Sequence, residues 1–122
     1  MANELTLSLS LAFDKTVKDS FTFAAAKFNV SGSDYIKSSK SVPTTAGGVV
    51  IPLGSLSGTL GFFAFVNRGA NLITILDAVS GNALLDLKPG EATVGRFASS
   101  ITAPAWIATG SASRVEYMIL PD

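Results

Sequence analysis

The stretch Leu5–Asp14, LTLSLSLAFD, alternates large apolar residues with small or polar ones along its whole length. A period of two places the apolar side chains on one face of a β-strand and leaves the other face to the solvent. The stretch therefore predicts a half-buried strand and makes an all-β protein the first hypothesis. Its apolar members are Leu5, Leu7, Leu9, Leu11 and Phe13.

A second alternating stretch begins at Phe21 and Phe23. Its continuation would put Lys27 on the apolar face and Phe28 on the polar face. A slip of one residue is what a β-bulge produces, because the extra residue moves every later side chain to the other face. The sequence therefore predicts a bulge near Ala24–Ala26, with a short helical turn through the alanines as the alternative.

Further apolar segments follow, separated by residues that favour turns, and no segment has a sustained helical stripe. About nine short strands with turn signals at intervals of roughly 8–12 residues favour an antiparallel β-sandwich, with the jelly roll as a candidate topology. No linker divides the chain, so a single domain over residues 1–122 is predicted. The later segments are Tyr35–Val42, Val49–Ile51, Thr59–Val66, Leu72–Leu76, Ala83–Leu87, Ala92–Phe97, Ile101–Ala108 and Arg114–Leu120.

Two of these segments have a predicted place within a sheet. Tyr35–Val42 is rich in serine and lysine, which suits an edge strand because exposed charge discourages unwanted pairing. Thr59–Val66 carries Phe62, Phe63 and Phe65 and so presents aromatic side chains to both faces. This second segment is predicted to be a fully buried strand.

The stretch Leu85–Val94, LDLKPGEATV, contains a Pro-Gly pair between two apolar runs. Proline at the second position of a turn and glycine at the third favour type II geometry. Tight hairpins prefer the primed turn types, so this turn is better suited to a corner between two sheets. Lys88 and Glu91 are then expected to be solvated residues on either side of the corner.

The composition excludes several kinds of chemistry. The chain has no cysteine and no histidine, which removes thiolate chemistry, disulfides, the best general base and the commonest metal ligand. Nine basic and nine acidic residues give a net charge of zero, so no basic surface for nucleic acid is expected. The longest apolar run, around Phe62–Val66, is far below the roughly 20 residues of a membrane span.

The candidate catalytic motifs also fail. Gly54–Gly58, GSLSG, has Leu56 where a nucleophile elbow has serine, and no histidine could activate a serine. Asp77–Asn82 has too few carboxylates for a calcium site and is predicted to be a turn. The sequence therefore predicts no catalytic, cofactor-binding or metal-ligating residue, and no enzyme activity.

The hydrophobic content indicates contact with other protein. Hydrophobic residues make up 48% of the chain and charged residues only 15%, whereas soluble domains more often carry about a quarter charged residues. Some apolar surface is therefore expected to be buried between copies, in a homo-oligomer that we predict to be a dimer or trimer. The alternative is a carbohydrate- or receptor-binding module in which Trp106, Tyr35 and Tyr117 stack on a ligand. A lone tryptophan is more often part of a core or interface.

Three segments resemble the small virion proteins encoded beside capsid genes in tailed bacteriophages. They are MANELTLSLSL at the start, FFAFVNRGANLITIL leading into LLDLKPGEATVGRF in the middle, and SRVEYMILPD at the end, together about half the chain. The resemblance implies a β-sandwich without catalytic activity, and a hairpin at residues 62–76. It also implies a structural protein that decorates or cements the capsid lattice or belongs to the tail or neck. Its partners would be other virion proteins, the major capsid protein first among them. Its location would be the virion, assembled in the host cytoplasm.

Overall fold

The computed structural model describes residues 4–30 and 34–122, which form ten antiparallel strands and no helix. This confirms the predicted all-β class. The chain divides into two compact units, one containing residues 4–30 and the other residues 34–122. That both belong to one domain stays a prediction. The strands are β1 Leu5–Asp14, β2 Lys18–Phe28, β3 Ile36–Val42, β4 Val49–Val50, β5 Leu60–Asn67, β6 Ile73–Leu76, β7 Ala83–Leu87, β8 Ala92–Arg96, β9 Ala105–Ala108 and β10 Ser113–Pro121.

The first unit is a hairpin of β1 and β2, joined by the loop of residues 15–17. The pairing is regular except at one place, where Leu7 and Leu9 of β1 pair with Ala26 and Phe23 of β2. Between these two pairs β1 has one residue, Ser8, whereas β2 has two, Ala24 and Ala25. The bulge predicted near Ala24–Ala26 is confirmed, and the alternative of a helical turn is wrong.

The second unit is a sandwich of two four-stranded sheets. One sheet has the order β3–β10–β5–β8 and the other β4–β9–β6–β7. Because β3 lies at the edge of its sheet, the edge position predicted for the serine- and lysine-rich segment is confirmed. The core between the sheets consists of Val42, Ile51, Leu56, Leu60, Phe65, Ile73, Ile75, Leu87, Phe97, Trp106, Ala108, Val115, Tyr117 and Ile119.

Three aromatic side chains occupy the middle of this core. The rings of Trp106 and Tyr117 meet edge to face with centroids 5.0 Å apart, and Phe65 stacks on Tyr117 at 6.2 Å. Such pairs contribute about 0.5–1.5 kcal/mol each beyond the area they bury. Phe65 is fully buried as predicted, but Phe62 and Phe63 remain half-buried. The prediction of a strand buried on both faces is therefore wrong in this respect.

The Pro-Gly turn lies where the sequence predicts it. The Glu91 N–H donates to the Lys88 carbonyl at 3.0 Å, and Gly90 has φ +84°, which is the type II arrangement. The turn leads from β7 in one sheet to β8 in the other, which confirms the corner. Lys88 and Glu91 are exposed, but the Glu91 carboxylate also accepts the Lys88 N–H at 2.6 Å. Glu91 therefore holds the turn in addition to being solvated.

The hairpin expected at residues 62–76 does not form. Strand β5 pairs with β8 and β10, whereas β6 pairs with β7 and β9 in the opposite sheet. The turn Asn67–Asn71 reverses the chain but carries it from one sheet to the other. The apolar alternation of both strands is satisfied equally well by this crossing, because each strand still presents one face to the shared core.

Candidate protein-binding surface on the N-terminal hairpin

The two faces of the β1–β2 hairpin differ in polarity, and directly paired residues lie on the same face of an antiparallel ladder. The more apolar face also carries Asp19 at the tip, as the ladder partner of Phe13. One face carries the pairs Leu5–Phe28, Leu7–Ala26, Leu9–Phe23 and Leu11–Phe21, together with Phe13. We call these nine residues the hairpin face. The opposite face carries the pairs Thr6–Lys27, Ser10–Thr22, Ala12–Ser20 and Asp14–Lys18.

The bulge is what makes the hairpin face continuous. Phe21 and Phe23 have odd numbers, while Ala26 and Phe28 have even numbers. In a regular strand these two pairs would point to opposite sides. The extra residue between Phe23 and Ala26 restores the phase, so that all four lie on one face.

Within its own unit this face is largely open to solvent. Leu11 is 70% exposed, Phe21 64% and Phe13 56%, while Leu9 and Phe23 are exposed to a smaller extent. An open depression of about 270 Å³ near the tip is lined by Leu11, Phe13, Asp19, Ser20 and Phe21. Side chains of this size normally lie in a core, so a cluster of them at the surface is a candidate contact surface.

The charges of the hairpin cancel at both ends. At the tip Asp14 and Asp19 balance Lys15 and Lys18, and at the base Glu4 balances Lys27. The Lys18–Asp14 ion pair, 3.6 Å long and highly exposed, contributes little to stability. The hairpin face is therefore flanked by a locally neutral surface.

A second surface lies on the outside of the β3–β10–β5–β8 sheet. Ala64, Val66 and Met118 line a depression of about 160 Å³ there, beside Lys37 and Glu116. These apolar side chains are half-buried rather than exposed. This surface is therefore less apolar toward solvent than the hairpin face.

At the end of the same sheet, Arg96 covers an aromatic ring. Its guanidinium lies 4.5 Å from the centroid of the Phe62 ring and also pairs with Asp122. Such a cation–π contact shields the ring, so Phe62 contributes less apolar surface than its size suggests.

The three aromatic residues considered for ligand stacking are not equivalent. Trp106 is 1% exposed and Tyr117 is also buried, so the interpretation of Trp106 as a core residue is confirmed. The Tyr117 hydroxyl donates to the Pro52 carbonyl at 2.7 Å, and burial raises its pKa above the ordinary tyrosine value. Only Tyr35 of the three is exposed. The hypothesis that all three side chains stack on a ligand is therefore wrong, because Trp106 and Tyr117 are buried.

The remaining candidate motifs have structural roles. Leu56 of the GSLSG stretch is buried in the core. The Asp77 carboxylate accepts the Asn82 N–H at 2.7 Å, which confirms that Asp77–Asn82 is a turn. In residues 4–30 and 34–122 no group of three or more potential ligands among acidic, histidine and cysteine residues is placed to hold a metal ion. None of the described residues forms a helix long and apolar enough to span a membrane.

Sequence alternation identified the β1 half of the hairpin face, as the apolar side of a half-buried strand. The predicted bulge was the signal that β2 continues this face, because a bulge is needed only if Phe28 lies on the same face as Phe23.

No protein-family model matches the chain, and no curated protein or solved structure matches it significantly.

Proposed function

We propose that the chain is a non-enzymatic structural protein of a tailed-phage virion, which decorates or cements the capsid lattice as a small homo-oligomer. The observation that carries the proposal is the hairpin face, whose exposed leucines and phenylalanines have no cover within their own unit. The resemblance of three sequence segments to phage virion proteins supplies the setting. The virion, assembled in the host cytoplasm, is the corresponding location.

The character of the surface supports protein contact as the mode of action. Membrane-surface segments and nucleic-acid sites carry an excess of lysine and arginine, and the hairpin has as many acidic as basic residues. Protein interfaces instead have an apolar centre enriched in aromatic residues with polar groups around it. The hairpin face has this composition.

The jelly roll stays part of the proposal. In the second unit the first strand, β3, pairs with the last strand, β10, and the second, β4, pairs with the last but one, β9. Nested pairs of this kind support two Greek keys wound into a double sheet. The fold occurs in both viral capsid and lectin domains, so it does not itself decide the function.

The carbohydrate-binding alternative has lost support from the structure. Two of its three stacking residues, Trp106 and Tyr117, lie in the core. Tyr35 is 58% exposed, but a single exposed tyrosine is common on protein surfaces.

Co-sedimentation with phage particles that lack this chain tests the proposal. We expect the purified protein to bind the particles to saturation and to bind nearly as well at high salt as at low salt, because a neutral chain releases few counterions. An unrelated β-sandwich protein of similar size is the control. Failure to bind particles, together with retention on a glycan array, would contradict the proposal and favour the alternative.

A further inference from the structure

A hairpin of two strands is marginal in water unless another layer covers its apolar side. The hairpin face is such a side, and no element of its own unit covers it. We infer that its cover is the hairpin face of a second copy of this chain, so that two hairpins pack face to face around a two-fold axis. The inference deepens the proposed function, from which it takes the homo-oligomer, and it names the contact residues.

The area of the face is sufficient for such a contact. With aromatic side chains burying about 150–250 Å² each and leucines somewhat less, the exposed parts of five side chains amount to on the order of 500 Å² per copy. Two copies would then bury about 1,000 Å² in total, which is the lower bound for a specific interface. The half-buried Leu5 and Leu7 extend the same face toward the base. The five side chains are Leu9, Leu11, Phe13, Phe21 and Phe23.

The symmetry of the contact follows from the shape of the element. When the same surface of both copies forms the contact, the assembly is a closed dimer with two-fold symmetry, because no copy of that surface remains free to bind a third chain. Two β-layers pack about 10 Å apart, with side chains from both inner faces interdigitating. The alternating leucine and phenylalanine side chains across the ladder give each layer the uneven surface that interdigitation needs.

The charges also permit two copies to meet. Both the tip and the base of the hairpin are neutral, with Asp14 and Asp19 balancing Lys15 and Lys18 at the tip. Two hairpins can therefore align tip to tip or tip to base. The second alignment keeps apart the two Asp19 carboxylates, which lie on the hairpin face opposite Phe13. A lipid surface is a poorer occupant, because amphipathic segments that bind lipid use an excess of cations.

The absence of cysteine from the chain makes cross-linking a clean test. Leu9 lies in the middle of the hairpin face, close to the two-fold axis in either alignment. Ser10 is its neighbour on the opposite face and provides the matched control. We expect Leu9→Cys to form a covalent dimer under mild oxidation or with a short bis-maleimide, and Ser10→Cys to remain monomeric on a denaturing gel.

The outcomes separate the inference from the proposed function. If both variants cross-link equally, or if neither does while light scattering still shows an oligomer, the face-to-face contact is wrong. A wild-type monomer would overturn it as well. Neither cross-linking experiment involves phage particles. The dimer contact can therefore be confirmed when the protein does not bind particles, and it can be refuted when the protein does bind them.

A second pair of variants tests the same contact by mass. Leu11→Ser with Phe21→Ser replaces one cross-strand pair of the hairpin face, and Ala12→Ser with Ser20→Ala exchanges the adjacent pair on the opposite face. We expect the first double variant to lose half its mass by light scattering and the second to keep it. The lone Trp106, buried in the other unit, reports by fluorescence that the sandwich remains folded. An unchanged mass in the first variant would overturn the inference.

Discussion

The side-chain amide of Asn67 donates a hydrogen bond of 2.9 Å to the carbonyl of Leu87, and this bond connects the ends of strands that belong to opposite sheets. The same amide donates to the Asn71 carbonyl at 2.8 Å. The Asn67 side-chain oxygen accepts from the Gly69 N–H and the Ser113 hydroxyl, each at 3.0 Å. A fully buried amide thus uses both of its donors and both of its acceptor positions.

The main chain of Asn67 extends this connection to the Pro-Gly corner. Its N–H donates to the Glu91 carbonyl and its carbonyl accepts the Gly90 N–H, both at 2.9 Å. The two chain crossings, residues 67–71 and residues 88–91, are therefore held together by one residue. Because partly satisfied buried networks are costly, this residue is expected to be the most sensitive polar position of the sandwich.

Replacement of Asn67 by alanine should destabilise the protein strongly. Asn67→Ala removes the side-chain donor to the Leu87 carbonyl and the acceptor for the Ser113 hydroxyl proton, and we expect a loss on the order of 3 kcal/mol in the free energy of unfolding. Asn71→Ala is the matched control at the other end of the turn, since its side chain makes one 3.3 Å bond to the Ala112 carbonyl. Denaturant titration followed by Trp106 fluorescence measures both. Equal losses would contradict the central role of Asn67.

The Pro-Gly corner gives a prediction that separates backbone strain from charge. No atom lies within 4 Å of a β-carbon added to Gly90, so the penalty for a side chain comes from its φ of +84° alone. Gly90→Val should therefore cost on the order of 1–2 kcal/mol, and Gly90→Asn clearly less, because asparagine tolerates this conformation. Thermal melts of the two variants measure the difference.

The charged residues of the corner are not equivalent to each other. Lys88→Ala should change the free energy of unfolding by less than about 0.5 kcal/mol, as exposed positions do. Glu91→Ala removes the bond to the Lys88 N–H and should cost about 0.5–1 kcal/mol. If Lys88→Ala were the more damaging variant, the assignment of the hydrogen bond as the relevant contact would be wrong.

The sequence alone was sufficient where one local pattern has one structural solution. Alternation in Leu5–Asp14 predicted a strand, the phase slip predicted the bulge, and the Pro-Gly pair predicted the corner between sheets. Each of these depends on backbone geometry that neighbouring residues determine.

The sequence was insufficient where the outcome depends on distant partners. Alternation shows that Leu11 lies on an apolar face of its strand, but neither that Phe21 pairs with it nor what covers that face. It also did not distinguish a hairpin at residues 62–76 from a crossing between sheets, since both place the same side chains in a core. The contacts of Asn67 with Leu87 and Ser113 span 20 and 46 positions, and no local signal predicts them.

The pKa of Tyr117 predicts a loss of stability in alkali. Burial raises this pKa in the folded protein, so the unfolded chain releases the proton first, and rising pH above about 10 favours unfolding. The stability contribution is fully present below that pH and is lost as pH rises toward the folded-state pKa. Tyr117→Phe should weaken this alkaline dependence and also lose the bond to the Pro52 carbonyl. Tyr35→Phe, at an exposed position, is the control in a series of denaturant titrations across pH.

The bulge permits a test of the hairpin face by deletion of single residues. Deleting Ala25 removes the extra residue of β2, so the ladder becomes regular while Phe28 stays on the same face as Phe23. Deleting Ser8 instead, on the opposite strand between Leu7 and Leu9, doubles the mismatch. It moves Leu5 and Leu7 to the polar side.

The two deletions should therefore have opposite effects on assembly, although each removes one small exposed residue from the same part of the hairpin. We expect the Ala25 deletion to keep the oligomer mass and to change the free energy of unfolding by less than about 1 kcal/mol. The Ser8 deletion should lower the mass, because it divides the apolar surface between two faces. Size exclusion with light scattering measures the mass, and Trp106 fluorescence shows whether the sandwich is unaffected. If the Ala25 deletion disrupts the oligomer as much as the Ser8 deletion does, the phase of β2 is not what builds the contact.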